Sequence, residues 1–415
     1  MHALIHWTRR NRRASLVLTI IIVILLQATP WKSGDEMDTV PTITATTVIP
    51  STPATLNFTP PFHTQGRHIL DAEGIPLKLA SLNWYGASDT DYVPGGLEVQ
   101  HRDTIAALIR GLGFNSVRLP YADEIVVKNP VIGRDVIAAN LDLFDPAGVC
   151  DAPVRALDVF HAVVESLTAA GDLVLRDQPM RSELEERLVR GALLCTVSQS
   201  EERWIRNWET VMAPLVSNPL VLGADLRNEV RGLWGTMHWD EWADAAERAS
   251  ERLLAMNPDW LMFVEGISSA NDLSGVRTRP VQLSMPGRVV YSAHVYKWSG
   301  WGSLKPFSSR SYEDFAATMW KNWGYLLMEE VAPVWVGEFG TPDMPSGGDQ
   351  NYWGHLMRYL RGVDASWGYW ALNARKATGE WESYGLVGDG WDWASVRRDY
   401  RLNDLQRLGL IEGVE

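Results

Sequence analysis

Eight short apolar runs recur along this chain, separated by amphipathic stretches of helical period, and that alternation restricts the fold more than any other feature. The runs are 77–84, 115–120, 172–175, 221–226, 261–265, 289–296, 334–339 and 368–372. Apolar residues at helical spacing fill 98–110, 157–170, 201–216, 241–256, 312–330 and 352–360, and a last such stretch covers 396–408. Strand then helix, repeated over roughly 350 residues, predicts an α/β fold of the (β/α)8 TIM-barrel type, a single catalytic domain. The competing architecture is a doubly wound open sheet. It would need a glycine-rich phosphate turn after an early strand, and neither GxGxxG nor GxxxxGK with a following Ser or Thr is present.

A barrel places its reactive side chains at the C-terminal ends of strands. Arg118 closes the second run, Asn228 and Glu229 follow the fourth, and His294 and Tyr296 end the sixth. Glu338 closes the seventh and Trp370 lies in the eighth. His294 and Tyr296 are two apart, so an extended strand puts them on one face; Val334, Val336 and Glu338 share a face by the same rule, with the two valines expected inside the barrel. Two apolar runs each ending in a glutamate, Glu229 and Glu338, suit hydrolysis of a glycosidic bond. One carboxyl protonates the leaving oxygen while the other attacks or stabilises the oxocarbenium-like sugar. Taken singly, an Asn-Glu after a strand is most often a helix cap, and a strand-end Trp is most often core. Their joint order at successive strand ends is what carries weight.

The N-terminus has a separate character. Of 38 Lys and Arg, four fall in residues 1–13, which hold no acid, so the formal charge of −13 divides into +4 there and −17 in the body. An acidic body excludes a nucleic-acid partner, whose phosphates require clustered cations. Residues 14–31 carry no charge, and their strongly apolar part, 16–26, has the length of a signal-peptide core. The whole uncharged run reaches the lower limit for spanning a bilayer. Residues 1–31 therefore read as a cleaved signal peptide or as a signal anchor. Leu26 makes a poor minus-three residue for cleavage after Ala28. In either case the body is secreted or held outside by a type II anchor through residues 14–31. Residues 32–62 form a Ser/Thr/Pro-rich linker containing the sequon Asn57-Phe58-Thr59, and 63–415 the barrel. Cys150 and Cys195 are the only cysteines, and pairing between them is open. The His2–His6 spacing lies in the targeting segment and is taken as coincidence, so no metal and no cofactor are expected.

These residues resemble glycoside hydrolase family 5, the cellulase family of retaining β-glycosidases, over roughly residues 63–410. The resemblance rests on Arg118 in Val-Arg-Leu-Pro, Asn228-Glu229, His294-Val-Tyr296, Glu338 in Gly-Glu-Phe-Gly, and Trp370. It implies Glu229 as general acid/base and Glu338 as nucleophile. It also implies that Arg118, Asn228, His294, Tyr296 and Trp370 bind substrate, a β-linked glycan, in a monomeric enzyme without a cofactor. Asn228 would bond the sugar 2-hydroxyl, and Trp370 would floor the subsite at which cleavage occurs. The usual proline after Asn-Glu is Val230 here.

One departure is larger. Family members carry a histidine just after the third strand, whereas Gln178 stands roughly at that place, ahead of a charged run at 181–190. Three readings stay open: an active hydrolase with a rebuilt third loop, a catalytically weakened glycan-binding relative, or a misplaced exon boundary. Trp234, Trp239, Trp298, Trp301, Trp381, Trp391 and Trp393 fall in loop-like stretches and are candidates for stacking on sugar rings, with packing under long loops an equal alternative for each.

Overall fold

The computed structural model describes residues 58–144, 153–177, 200–230, 237–298 and 306–408. The targeting segment, most of the linker with the sequon's Asn57, both cysteines, Gln178 and the charged run after it, Trp234 and Trp301 lie outside the described residues. No helix among the described residues is long and apolar enough to cross a membrane.

A small antiparallel sheet comes first: β1 (His63–Gln65), β2 (His68–Leu70) and β3 (Pro76–Leu77). Eight parallel strands then close a barrel: β4 (Ala80–Asn83), β5 (Ser116–Pro120), β6 (Leu173–Asp177), β7 (Val221–Asp225), β8 (Leu261–Glu265), β9 (Val289–His294), β10 (Val334–Phe339) and β11 (Ser366–Tyr369), with β11 pairing back to β4. Each overlaps one of the eight apolar runs, with β6 reaching past the end of its run to Asp177 and β11 beginning earlier than its run, at Ser366. Barrel strands are covered on both faces, which is why they read as unbroken apolar segments.

Among the described residues the α-helices of six residues or more are α1 (Arg102–Gly111), α2 (Asp123–Lys128), α3 (Ala156–Ala169), α4 (Glu201–Met212), α5 (Trp239–Leu254), α6 (Tyr312–Met319), α7 (Gly347–Val363) and α8 (Tyr400–Arg407). Side-chain caps set several starts. Helix α7 begins five residues before the expected 352 because Ser346 and Asp349 form a reciprocal capping box across a Gly-Gly pair that pattern reading discounts. Helix α8 begins at Tyr400 rather than near 396, because the Asp399 carboxylate accepts the Arg401 N–H.

Leu173, Leu175, Leu222, Leu261, Phe263, Val290 and Trp335 fill the barrel interior together with Phe62 and Ile69. The first small sheet thus closes the N-terminal end of the barrel; strands of two or three residues leave too little pattern for the sequence to announce it. The interior also corrects one expectation. Val334 and Val336 face the helices, and Trp335 fills the barrel. A register irregularity between Val336 and Glu338 then turns Glu338 inward. Glycine is required at 337, where an added Cβ would lie 2.4 Å from the Trp335 ring.

Candidate active site

Strand alternation aims Arg118 of β5, Asp177 of β6, Asp225 of β7, Glu265 of β8 and His294 of β9 at the upper barrel interior, and all five are buried. Arg118 is the hub. Its Nε donates to Asp225 Oδ2 at 2.9 Å, and its Nη1 to Asn83 Oδ1 at 3.1 Å and Glu338 Oε1 at 2.5 Å. Its Nη2 donates to Asn228 Oδ1 at 2.9 Å and Glu265 Oε1 at 3.2 Å. Burial disfavours the guanidinium charge, but Asp177, Asp225, Glu338 and Glu265 outweigh it and hold Arg118 firmly protonated.

Glu338 is fixed from both sides: Arg118 takes one oxygen, and the Tyr296 hydroxyl donates to the other at 3.0 Å. His294 stands between the two glutamates, its Nδ1 3.5 Å from Glu229 Oε1 and 3.7 Å from Glu338 Oε2. Its Nε2 lies 3.3 Å from Glu265 Oε1, an ionic contact without hydrogen-bond alignment. Burial alone would push the imidazole pKa down; Glu265 and Glu338 overcome it and raise it well above the usual histidine range.

Glu229 leaves the end of β7 with φ 49°, a left-handed conformation that costs a non-glycine residue about 1–3 kcal/mol. Its backbone N–H donates to Glu265 Oε2 at 2.5 Å, so Glu265 holds the bent backbone in place. A carboxylate oxygen of Glu229, one of Glu338 and a His294 ring nitrogen all lie within 4.8 Å of one another. Trp370, just beyond β11, stacks face to face on Tyr85 with centroids 4.9 Å apart. The structure therefore brings Arg118, Asn228, Glu229, His294, Tyr296 and Glu338 together, with Trp370 at the adjoining strand end.

Five further residues belong to the constellation and went unassigned in the sequence: Asn83, Tyr85, Asp177, Asp225 and Glu265. Glu265 had a usable signal, since Leu261-Met-Phe-Val-Glu265 is another apolar run ending in glutamate. The third-strand expectation concerns Gln178, which lies outside the described residues. The residue that β6 delivers into the site is Asp177, one position before Gln178, with its Oδ2 3.1 Å from Arg118 Nη2. Burial pushes its carboxyl up to about 8 against the pull of Arg118, and burial raises Asp225 well above the usual carboxylate range.

Two groups have metal-ligand composition, Asp225/Glu265/His294 and Glu229/His294/Glu338. Arg118 already engages the carboxylates of Asp225, Glu265 and Glu338, and a protonated His294 has no lone pair to offer, so these donors are matched to the guanidinium and imidazolium beside them rather than to a metal. Among the loop tryptophans, Trp239 and Trp391 are buried, and Trp393 is partly buried where it packs against Gly111; these serve packing. Trp298 is 51% exposed and stacks on Tyr296 at 4.7 Å, and Trp381 is 43% exposed.

A family model described as Cellulase (glycosyl hydrolase family 5) matches residues 70–376. The chain belongs to this family. It is accordingly an O-glycosyl hydrolase. It is 30% identical over 355 residues to an endoglucanase of Paenibacillus polymyxa, covering 81% of this chain and 85% of that protein. It is 28% identical to the major extracellular endoglucanase of Xanthomonas campestris pv. campestris, covering 80% and 68%. Among solved structures, a hyperthermophilic endocellulase from the archaeon Pyrococcus horikoshii superposes with a TM-score of 0.70 over 84% of this chain and 98% of that one, at 24% identity, a likeness of fold.

Proposed function

We propose that this protein hydrolyses internal bonds of a β-linked glucan with retention of anomeric configuration. The observation that carries the reading is the approach of Glu229 and Glu338, whose nearest carboxylate oxygens are within 4.8 Å with His294 beside both. Retaining enzymes keep their two carboxyl groups about 5–5.5 Å apart, and inverting ones about 6.5–9.5 Å to admit a water.

In this reading Glu338 is the nucleophile, held in place by Arg118 and Tyr296. It attacks the anomeric carbon while Glu229 gives its proton to the departing glycosidic oxygen. The product of that step is a glycosyl ester on Glu338 and a free sugar hydroxyl. Glu229, now a carboxylate, takes a proton from water, which attacks the same carbon from the opposite face and releases Glu338. His294 orients Glu229. Arg118 occupies the side-chain oxygen of Asn228, which turns the amide NH2 toward a sugar hydroxyl. Trp370, steadied by Tyr85, offers its apolar plane to the sugar at the cleavage point.

Glucan as substrate, and endo action, are inferred from the endoglucanase names of the relatives. Secretion is inferred from the arginine-rich, apolar N-terminus together with the extracellular naming of the Xanthomonas relative. Sequencing the N-terminus of the exported protein distinguishes a cleaved signal from a retained anchor. A second reading, a weakened glycan binder, draws on Gln178 standing roughly where the family resemblance leads one to expect histidine.

Purified protein assayed on β-glucans, mannan and aryl β-glycosides, beside a Glu338→Ala protein, separates the two. Activity on glucan that disappears in the variant supports the hydrolase. Binding of glucan by a folded wild type without turnover supports the binder.

A further inference from the structure

We propose that Trp381 is a stacking platform for a glucosyl unit on the glycone side of the cleft, beyond the unit that lies over Trp370. The inference rests on the glucan reading above and names a residue that determines how chain length is sensed.

The indole is locked from two directions. Its Nε1 donates to Asp343 Oδ2 at 2.8 Å, and one face lies on the Arg397 guanidinium, 3.6 Å from ring centroid to Cζ. Arg397 is itself fixed by the carbonyls of Glu382, Gly385 and Ala374 at 2.6, 3.0 and 3.1 Å. With its edge and one face occupied, a residue 43% exposed presents its remaining plane to solvent. A rigid apolar plane needs little ordering when a ligand arrives, so more of the stacking energy appears as affinity.

Its place in the fold ties it to the cleft. The next residue, Glu382, is buried and accepts the Tyr85 hydroxyl at 2.8 Å, and Tyr85 is the ring that stacks on Trp370. Asp343 lies four residues past the end of β10, which bears Glu338. Trp381 therefore belongs to the rim formed by the ends of β10, β11 and β4.

The direction along the glycan follows from the barrel. Around the ring β7, which leads to Glu229, and β11, which leads to Trp370, are four strands apart among eight, directly opposite. The acid must face the leaving oxygen, so the leaving portion extends toward β7. The glycone then extends over Trp370 toward β11 and β4, where Trp381 stands.

The test is calorimetric binding of β-1,4-linked gluco-oligosaccharides of increasing length to the full chain. Glu338→Ala blocks turnover, and this protein is compared with the same protein also carrying Trp381→Ala or Trp381→Phe. Thermal melting checks that each is folded. The expected result is a loss of about three- to tenfold in affinity on Trp381→Ala for the longer oligosaccharides, a smaller one for the shortest, and partial recovery with Phe. Equal affinity and equal length dependence with and without Trp381 overturns the platform and leaves the glucan reading intact. Absence of binding to any of these oligosaccharides by the folded Glu338→Ala protein overturns both.

Discussion

Asp177 lies 3.1 Å from Arg118, fully buried, at the end of the third barrel strand. With Asp225, Glu265 and Glu338 it makes a fourth carboxyl around one guanidinium, and His294 adds a second cation only by holding a proton. Burial pushes Asp177 up to about 8 and raises Asp225 well above the usual carboxylate range, so the crowding of acids is eased by protons on these two carboxyls.

Replacement of Asp177 by Asn tests this. A carboxyl whose folded pKa exceeds its unfolded value near 3.8 favours the folded state only while protonated, so its presence costs stability increasingly as pH rises from about 4 to about 8. Melting temperatures of wild type and Asp177→Asn should converge at pH 4 and separate at pH 8, the variant being the more stable. Parallel curves would show that Asp177 is ionised throughout.

Asp172 provides the same effect away from the chemistry. It precedes β6 at the N-terminal end of the barrel, both oxygens are buried without hydrogen-bond partners, and burial raises its carboxyl to about 8, with Arg110 opposing. Asp172→Asn should raise stability at pH 8, by about 1.4 kcal/mol for each pKa unit relieved, and leave kcat/KM unchanged. Denaturant titration at pH 5 and pH 8, with kinetics alongside, reads both.

Glu265 joins Arg118, His294 and the Glu229 backbone. Truncation to Ala strands two buried cations, and unfolding free energy should fall by about 3–5 kcal/mol. Glu265→Gln keeps the shape and should be milder in stability. It should still reduce kcat, because the carboxylate that holds Glu229 and charges His294 is gone. Chemical denaturation and steady-state kinetics on the two variants separate these effects.

Tyr296→Phe removes the 3.0 Å hydrogen bond to Glu338 while keeping the ring and its stack on Trp298. A hydrogen bond to a charged group contributes about 1.5–3 kcal/mol, so kcat/KM should fall by about ten- to a hundredfold with the melting temperature little changed.

Much of this arrangement was legible in the amino-acid sequence. The eight strands were, because strands covered on both faces are written as continuous apolar runs. The two glutamates were, because each ends such a run. What escaped has physical causes. The face assignment at 334–338 failed since strict alternation cannot anticipate an irregularity, and the bulge is what brings Glu338 inward. The small sheet β1–β3 was too short to show a period. Asp177, Asp225 and Asn83 are polar residues closing largely apolar strands, and their role exists only through Arg118, which sequence places on one strand but cannot connect to its neighbours. Of the loop tryptophans, composition could not separate Trp391, buried, from Trp381, half exposed.

The central claim, double displacement through Glu338 with Glu229 as acid/base, is tested most directly by the anomeric form of the first product. Proton NMR during hydrolysis of a β-1,4-gluco-oligosaccharide by the wild-type protein should show the β-anomer appearing first and converting to the α-anomer only by mutarotation. Initial appearance of the α-anomer would contradict the account, since it would require a single displacement by water between the two carboxyl groups.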